Sequence, residues 1–152
     1  MATRTEQQPR TMDSKRALLD GLNEDLRGEF QAIIMYRLYA SLVQGPYRQE
    51  LRAFFANEIP EELAHAQILA DKISALGGTP SAEPAKVTVV SEPKAMLEAA
   101  LAAEVETIAR YLERRRQAEE AGEPGLAAQF DDIISDETHH RDELRQMLAR
   151  WP

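Results

Sequence analysis

The sequence predicts an all-α fold, a four-helix bundle built from two antiparallel hairpins joined by one long crossover. Three observations predict it: four segments with helical periodicity, gaps of very unequal length between them, and an internal repeat at a fixed offset. Hydrophobic residues make up 43% of the chain and charged residues 29%, the balance of a folded, helix-rich domain rather than a disordered one. The length, 152 residues, is that of a single domain with a sizeable core. A flexible tail is expected over residues 1–12 and the bundle over 13–152.

The first helix is expected from about Met12 to Gln44, with Asp13 or Ser14 as N-cap and Gly45-Pro46 as its stop. The second should run from about Pro46 to Leu76 and end at Gly77-Gly78-Thr79-Pro80, with Pro60 kinking or splitting it. The third should start at Glu92-Pro93 and end at Gly122. The fourth should start at Pro124, a favourable first-turn residue, and continue to about Arg150. The only strand-like run is VTVV at 87–90. Between the hairpins lies TPSAEPAKVTVVSE, positions 79–92, which carries no helical pattern. Extended, such a linker reaches about 46 Å. A 30-residue helix is about 45 Å long. The linker is therefore just long enough to cross the bundle end to end, leaving the second and third helices parallel.

The repeat relates chemistry as well as shape. Glu29 and Glu104, Tyr36 and Tyr111, Glu62 and Glu137, and His65 and His140 are all 75 apart, as are Leu22 and Leu97, Phe55 and Phe130, and Leu69 and Leu144. Two such hairpins packed together would bring their matching groups to one pseudo-twofold axis. Helical phase, about 100° per residue, then selects among the neighbouring acids and histidines. Glu137 shares a face with Phe130, Ile134 and Leu144, with His140 about 60° away and His139 about 160° away toward solvent. Asp136 is set off the core face. Glu62 lies likewise among Phe55, Ile59 and Leu69 with His65 close by, Glu29 among Leu22, Ile33 and Tyr36, and Glu104 among Leu97, Ala100, Ile108 and Tyr111.

Each helix thus places a glutamate in the middle of its apolar face, a costly arrangement for carboxylates without partners. Protonation, buried cations or metal ions would offset the cost, and Arg141 is the nearest basic side chain. Four carboxylates and two imidazoles can neutralise two divalent ions, and mixed oxygen and nitrogen ligation suits iron or manganese better than calcium or structural zinc. The net charge of −8 suits cationic ligands and opposes bulk nucleic-acid binding, and the absence of cysteine excludes disulfides and thiolate clusters. Neither an export signal nor an apolar run of about 18 residues is visible, so a cytoplasmic protein without a membrane span is expected.

The stretches LRGEFQAIIMY (26–36), PEELAHAQ (60–67), MLEAALAAEVETI (96–108) and DETHH (136–140) resemble the ferritin-like superfamily, and most closely its bacterioferritins. The resemblance covers roughly residues 13–149. It implies two iron ions per subunit, with Glu29 and Glu104 as terminal ligands, Glu62 and Glu137 as bridges, and His65 and His140 binding one iron each. It implies a ferroxidase that oxidises Fe(II) with O2 or H2O2, for iron storage or detoxification, in a homo-oligomeric shell or dimer, with manganese or zinc as substitute metals. Tyr36 falls where bacterioferritins carry a tyrosine beside the centre and is a candidate for a redox or hydrogen-bonding role, although as core aromatics neither Tyr36 nor Tyr111 needs a function.

Several positions depart from that pattern. Leu63 stands where bacterioferritins place the haem-ligating methionine, so no haem is expected. Asn57 stands at the position of an inner-surface histidine, and the stretch from His140 to Pro152 is too short for the fifth helix of 24-subunit cages. Thr107 replaces the extra glutamate of rubrerythrins. A di-iron or di-manganese oxidase or peroxidase that stores no iron is one alternative. A DNA-protecting mini-ferritin shell, supported only by Arg4, Arg10, Lys15 and Arg16, is another.

Overall fold

The computed structural model describes residues 7–152, with side chains from residue 11 onward. Four helices follow in order: α1 (Gln7–Leu42), α2 (Arg48–Ala75), α3 (Pro93–Glu120) and α4 (Pro124–Leu148). α1 starts ahead of the expected cap, so Asp13 and Ser14 lie inside it, and residues 7–12 of the expected tail are helical. Pro9 falls in the first turn, where its missing N–H breaks no intrahelical bond. Residues 1–6 of that tail lie outside the described residues. α2 runs unbroken through Pro60, so the expected split does not occur. No strand forms among the described residues, and VTVV is part of the crossover.

The helix ends follow from local chemistry. Gly77 and Gly122 take positive φ values of 83° and 76°, which a side chain would oppose. Each follows a helix whose last carbonyls are recovered by the turn, as Gly78 N–H donates to Ile73 O at 2.9 Å and Glu123 N–H to Ala118 O at 2.8 Å. Pro93 and Pro124 open α3 and α4 in the first turn. At the end of α1, Arg48 donates to Ser41 O at 3.1 Å and also to Val43 O, placing a cation on the negative pole of the helix.

The crossover is stitched along one face of α1 at positions 23, 27, 31 and 39. Asn23 Nδ2 donates to Thr79 O at 3.2 Å and its Oδ1 accepts from Ser81 N–H at 2.8 Å. Ala85 N–H donates to Arg27 O at 2.9 Å, Gln31 to Lys86 O, and Tyr39 OH to Thr88 O at 2.8 Å. The linker therefore travels in the direction of α1, from one end of the bundle to the other, and α2 and α3 run parallel. No helix among the described residues is long and apolar enough to cross a membrane.

The apolar core forms two clusters. One contains Leu18, Leu22, Leu26, Leu69, Tyr111 and Phe130; the other contains Tyr36, Tyr39, Phe55, Leu97 and Leu144. The internal repeat exchanges members of one for members of the other: Leu22 for Leu97, Leu69 for Leu144, Phe130 for Phe55, Tyr111 for Tyr36. A pseudo-twofold axis accordingly passes between the clusters, at the level of the helix-centred glutamates.

The hairpins meet mainly through α1 and α3, and a buried ion pair marks that contact. Fully buried Asp25 accepts from Arg114 Nε at 2.8 Å and Nη2 at 3.2 Å, and Arg110 Nε lies 3.6 Å from its second oxygen. Gly21 and Gly28 flank Asp25 on α1 and make room for these guanidiniums. A Cβ on Gly21 would lie 1.8 Å from Arg114 Nη1, and one on Gly28 would lie 2.4 Å from Arg110 Nη2.

Candidate metal centre

The structure brings all six helix-phased ligand candidates together and buries them. Glu29, Glu62, Glu104, Glu137, His65 and His140 are each 3% exposed or less. Four of their side chains, Glu29, Glu62, His65 and Glu137, offer ligand atoms that all lie within 4.8 Å of one another, and so do Glu62, Glu104, Glu137 and His140. The two groups share Glu62 and Glu137. His139, adjacent to His140, is exposed as helical phase requires. Arg141 turns away from the centre and pairs with Asp142 at 2.8 Å.

Both imidazoles point Nδ1 inward. His65 Nδ1 lies 3.0 Å from Glu137 Oε1, and His140 Nδ1 lies 3.1 Å from Glu137 Oε2, so one carboxylate spans both rings. The outward nitrogens lie against acids at the rim of the centre. His65 Nε2 lies 3.1 Å from Asp136 Oδ2, and His140 Nε2 lies 2.7 Å from Glu61 Oε2 and 3.0 Å from Glu58 Oε2. Asp136 keeps its place off the core face, with its side chain 43% exposed, and still reaches the rim of the centre through His65. Each acid reaches across to the histidine of the other hairpin, which single-helix phase does not register. The signal was nevertheless in the chain: Glu61 and Asp136 are 75 apart, and each opens an acid-Glu-x-x-His motif. Glu58 has no such mate, because buried Ile133 occupies the equivalent position.

These contacts divide the charges into two sets. Burial pushes the Glu29 carboxyl well above its usual range, and the Glu62 charge beside it adds to the effect. Burial and then Glu137 do the same to Glu104. Burial opposes ionisation of Glu62 and Glu137 too, but hydrogen bonds with His140 and His65 outweigh it and hold both below the usual range. The histidines respond in kind. Burial lowers them, yet the Glu137 and Glu62 hydrogen bonds raise His65 to about 10 and His140 to about 12. Burial, partly offset by His140, lifts Glu58 to about 7. Without a metal ion the centre therefore balances its charge with protons.

Tyr36 is fully buried and donates its hydroxyl to Glu104 Oε1. Burial, with the Glu104 and Glu62 charges, holds that phenol well above its usual pKa, so it stays a donor at neutral pH. Both oxygens of Glu29 and Oε1 of Glu62 are buried with no hydrogen-bond donor among the described residues. Such orphaned acceptors are what a cation would satisfy, and the four carboxylates with two imidazoles form a donor set suited to iron. Asp136 and Glu61, on the outer nitrogens, hold the ring orientation that turns Nδ1 toward the carboxylates.

A family model for the ferritin-like domain matches residues 19–152. The chain belongs to this family. It is 32% identical over 139 residues to a bacterioferritin of Streptomyces coelicolor, covering 90% of this chain and 83% of that protein. Among solved structures, a ferritin-like diiron-carboxylate protein from Bacillus anthracis is 46% identical, with a TM-score of 0.87 over 89% of this chain and 97% of its own. A Desulfovibrio desulfuricans bacterioferritin, whose diiron site is seen in different catalytic states, is 25% identical with a TM-score of 0.80, covering 91% and 82% of the two chains. Dps from Thermosynechococcus elongatus is likewise 25% identical, with a TM-score of 0.87 over 93% and 96%. The ferritin-like bundle and its diiron-carboxylate relatives thus agree with a site composed of carboxylates and imidazoles.

Proposed function

We propose that this chain is a ferroxidase, holding two Fe(II) ions within one subunit and oxidising them to Fe(III) with O2 or H2O2. The observation that carries the reading is the pair of overlapping ligand groups sharing Glu62 and Glu137. A carboxylate shared by both groups would hold two ions side by side, the arrangement that two-metal redox chemistry needs. In this reading Glu29, Glu62, His65 and Glu137 form one position, and Glu62, Glu104, Glu137 and His140 form the other. Each Fe(II) gives one electron. Together they take O2 and two protons to H2O2, or H2O2 and two protons to two waters.

The chain's own contribution is charge and proton management. His65 and His140 must give up their inner protons to ligate, and Glu29 and Glu104 must ionise, so binding of cations releases protons. Tyr36 remains protonated and steadies Glu104 through its hydroxyl. Asp136 and Glu61 keep the outer imidazole protons in place, and with Glu58 they give the α2–α4 edge of the centre an acidic lining that favours cations. Iron detoxification follows from this chemistry, and storage follows if the subunits enclose a space. A homo-oligomer is part of the proposal, supported by the large apolar side chains Leu63, Val105 and Leu112, which are 44–55% exposed.

The test is stopped-flow Fe(II) oxidation in air. The wild-type chain should oxidise two Fe(II) per subunit rapidly, and Glu62→Ala and Glu137→Ala should each abolish the fast phase while remaining helical by circular dichroism. Full activity in both variants would rule out the assignment. Mass photometry before and after iron loading reports the assembly, where a large shell gaining mass supports storage and a dimer saturating at two ions opposes it.

A further inference from the structure

The repeat makes the two halves of the centre comparable residue by residue, and at one place they differ. In one half, Tyr36 on α1 packs against Phe55 with ring centroids 6.2 Å apart and donates across the bundle to Glu104 on α3. In the other half, Tyr111 on α3 packs against Phe130 with centroids 5.4 Å apart. These partners are the repeat mates of the first pair, and the counterpart of Glu104 is Glu29 on α1. The corresponding bond is open. The Tyr111 hydroxyl and both Glu29 oxygens are buried with no hydrogen-bond partner among the described residues.

Leaving a buried hydroxyl unpaired forfeits its bonds to water with nothing gained in return. Phenylalanine would fill the same apolar space beside Phe130 without that cost. A phenol at this position, in register with one that already serves the centre, points to a bond made in another state of the site. Glu29 is the acceptor the symmetry designates, and it is the terminal carboxylate that no other donor supports.

We propose that Tyr111 is the positioning residue for Glu29, its hydroxyl donating to the Glu29 carboxylate when a divalent cation sits among Glu29, Glu62, His65 and Glu137, as Tyr36 donates to Glu104 on the other side. This rests on the two-metal reading of the site. The bond orients Glu29 and leaves its second oxygen to the cation. The two phenols then form a matched pair, each supporting the terminal ligand contributed by the other hairpin.

Co(II) titration of metal-free protein, read by visible absorption, tests this without iron oxidation. Wild-type protein should take up two ions per chain. In Tyr111→Phe one of the two should bind roughly 10–100-fold more weakly, the usual effect of losing a group that orients a ligand, with the other unchanged. The metal-free variant should melt at or above the wild-type temperature, because its hydroxyl had no partner to lose. Tyr36→Phe should weaken the opposite position instead. Wild-type affinity for both ions in Tyr111→Phe overturns the proposal, and so does weakened binding that merely follows a loss of metal-free stability. A wild-type chain that takes up no Co(II) removes the two-metal reading itself, a result distinct from either.

Discussion

The bundle buries charge in two places, and the two are solved differently. At the α1–α3 contact Asp25 meets Arg114 and Arg110, so one carboxylate faces two guanidiniums held in place by the space that Gly21 and Gly28 leave. At the pseudo-twofold axis four carboxylates meet two imidazoles, and several carboxylate oxygens have no donor. The first cluster meets its carboxylate with cations from the protein itself and leaves only a donor, Arg110 Nε, without a hydrogen bond; the second is balanced only by protons or by cations from outside. A buried charge set that neutralises itself is structural, whereas one that leaves acceptors orphaned is prepared for a ligand.

The comparison can be broken most forcefully at the structural cluster. Arg114→Ala leaves Asp25 buried with only the more distant Arg110, and should cost about 3–5 kcal/mol in urea denaturation. Two divalent ions per chain should still bind wherever the variant is folded. Loss of metal binding from the folded variant would show that the clusters are not independent.

Proton dependence should separate the clusters next. His65 titrates near 6.5 when unfolded and at about 10 in the bundle, so its stabilising contribution to the metal-free protein is complete below pH 6.5 and lost as pH rises through 10. Glu29 and Glu104, raised by burial, act in the same direction as they ionise. Thermal melts of metal-free protein should therefore fall between pH 7 and 10. Zn(II) affinity should rise across that window, because ligating imidazoles must shed protons. A flat metal-free profile with pH-independent Zn(II) binding would contradict the proton-balanced picture.

A smaller stability effect, with a large effect on binding, is expected for Glu29→Gln. Burial raises this carboxyl well above its usual range and so favours the uncharged form, and a neutral amide of the same shape should change metal-free stability by about 1 kcal/mol or less. One of the two ion positions should nevertheless be lost in a Co(II) titration. That is the reverse of the Arg114→Ala signature, and equal damage to stability and binding would blur the distinction. The smallest effect belongs to His139→Ala. Its exposed side chain should contribute about 0.5 kcal/mol or less and nothing to metal uptake, in contrast to His140→Ala one residue away.

Much of this was legible in the chain because periodicity reports which face of a helix is buried. Phase separated His140 from His139, and the internal repeat united Glu29, Glu62, His65, Glu104, Glu137 and His140. Unequal loops predicted the crossover that Asn23, Gln31 and Tyr39 fasten to α1. Phase fails where a side chain serves a neighbouring helix. Asp136 and Glu61 sit at the edges of their own apolar stripes and reach the opposite histidine, so only the repeat, carried one residue further back, marks them. Asp25 and Arg114 escaped for a related reason. A buried ion pair looks like two solvated charges until both helices are in place, and only Gly21 and Gly28, a helical turn to either side of Asp25, hinted at a close approach. The early start of α1 was hidden by Asp13 and Ser14, good caps that the helix runs past.

The central claim is that Glu62 and Glu137 bridge two metal ions inside one subunit. Anomalous diffraction at the iron edge, from crystals loaded with Fe(II), tests it directly. The expected result is two iron peaks per chain about 3.5–4 Å apart, with carboxylate density from both glutamates between them and His65 and His140 on opposite sides. A single peak, peaks confined to the exposed acids, or no peak at this level of the bundle would contradict it.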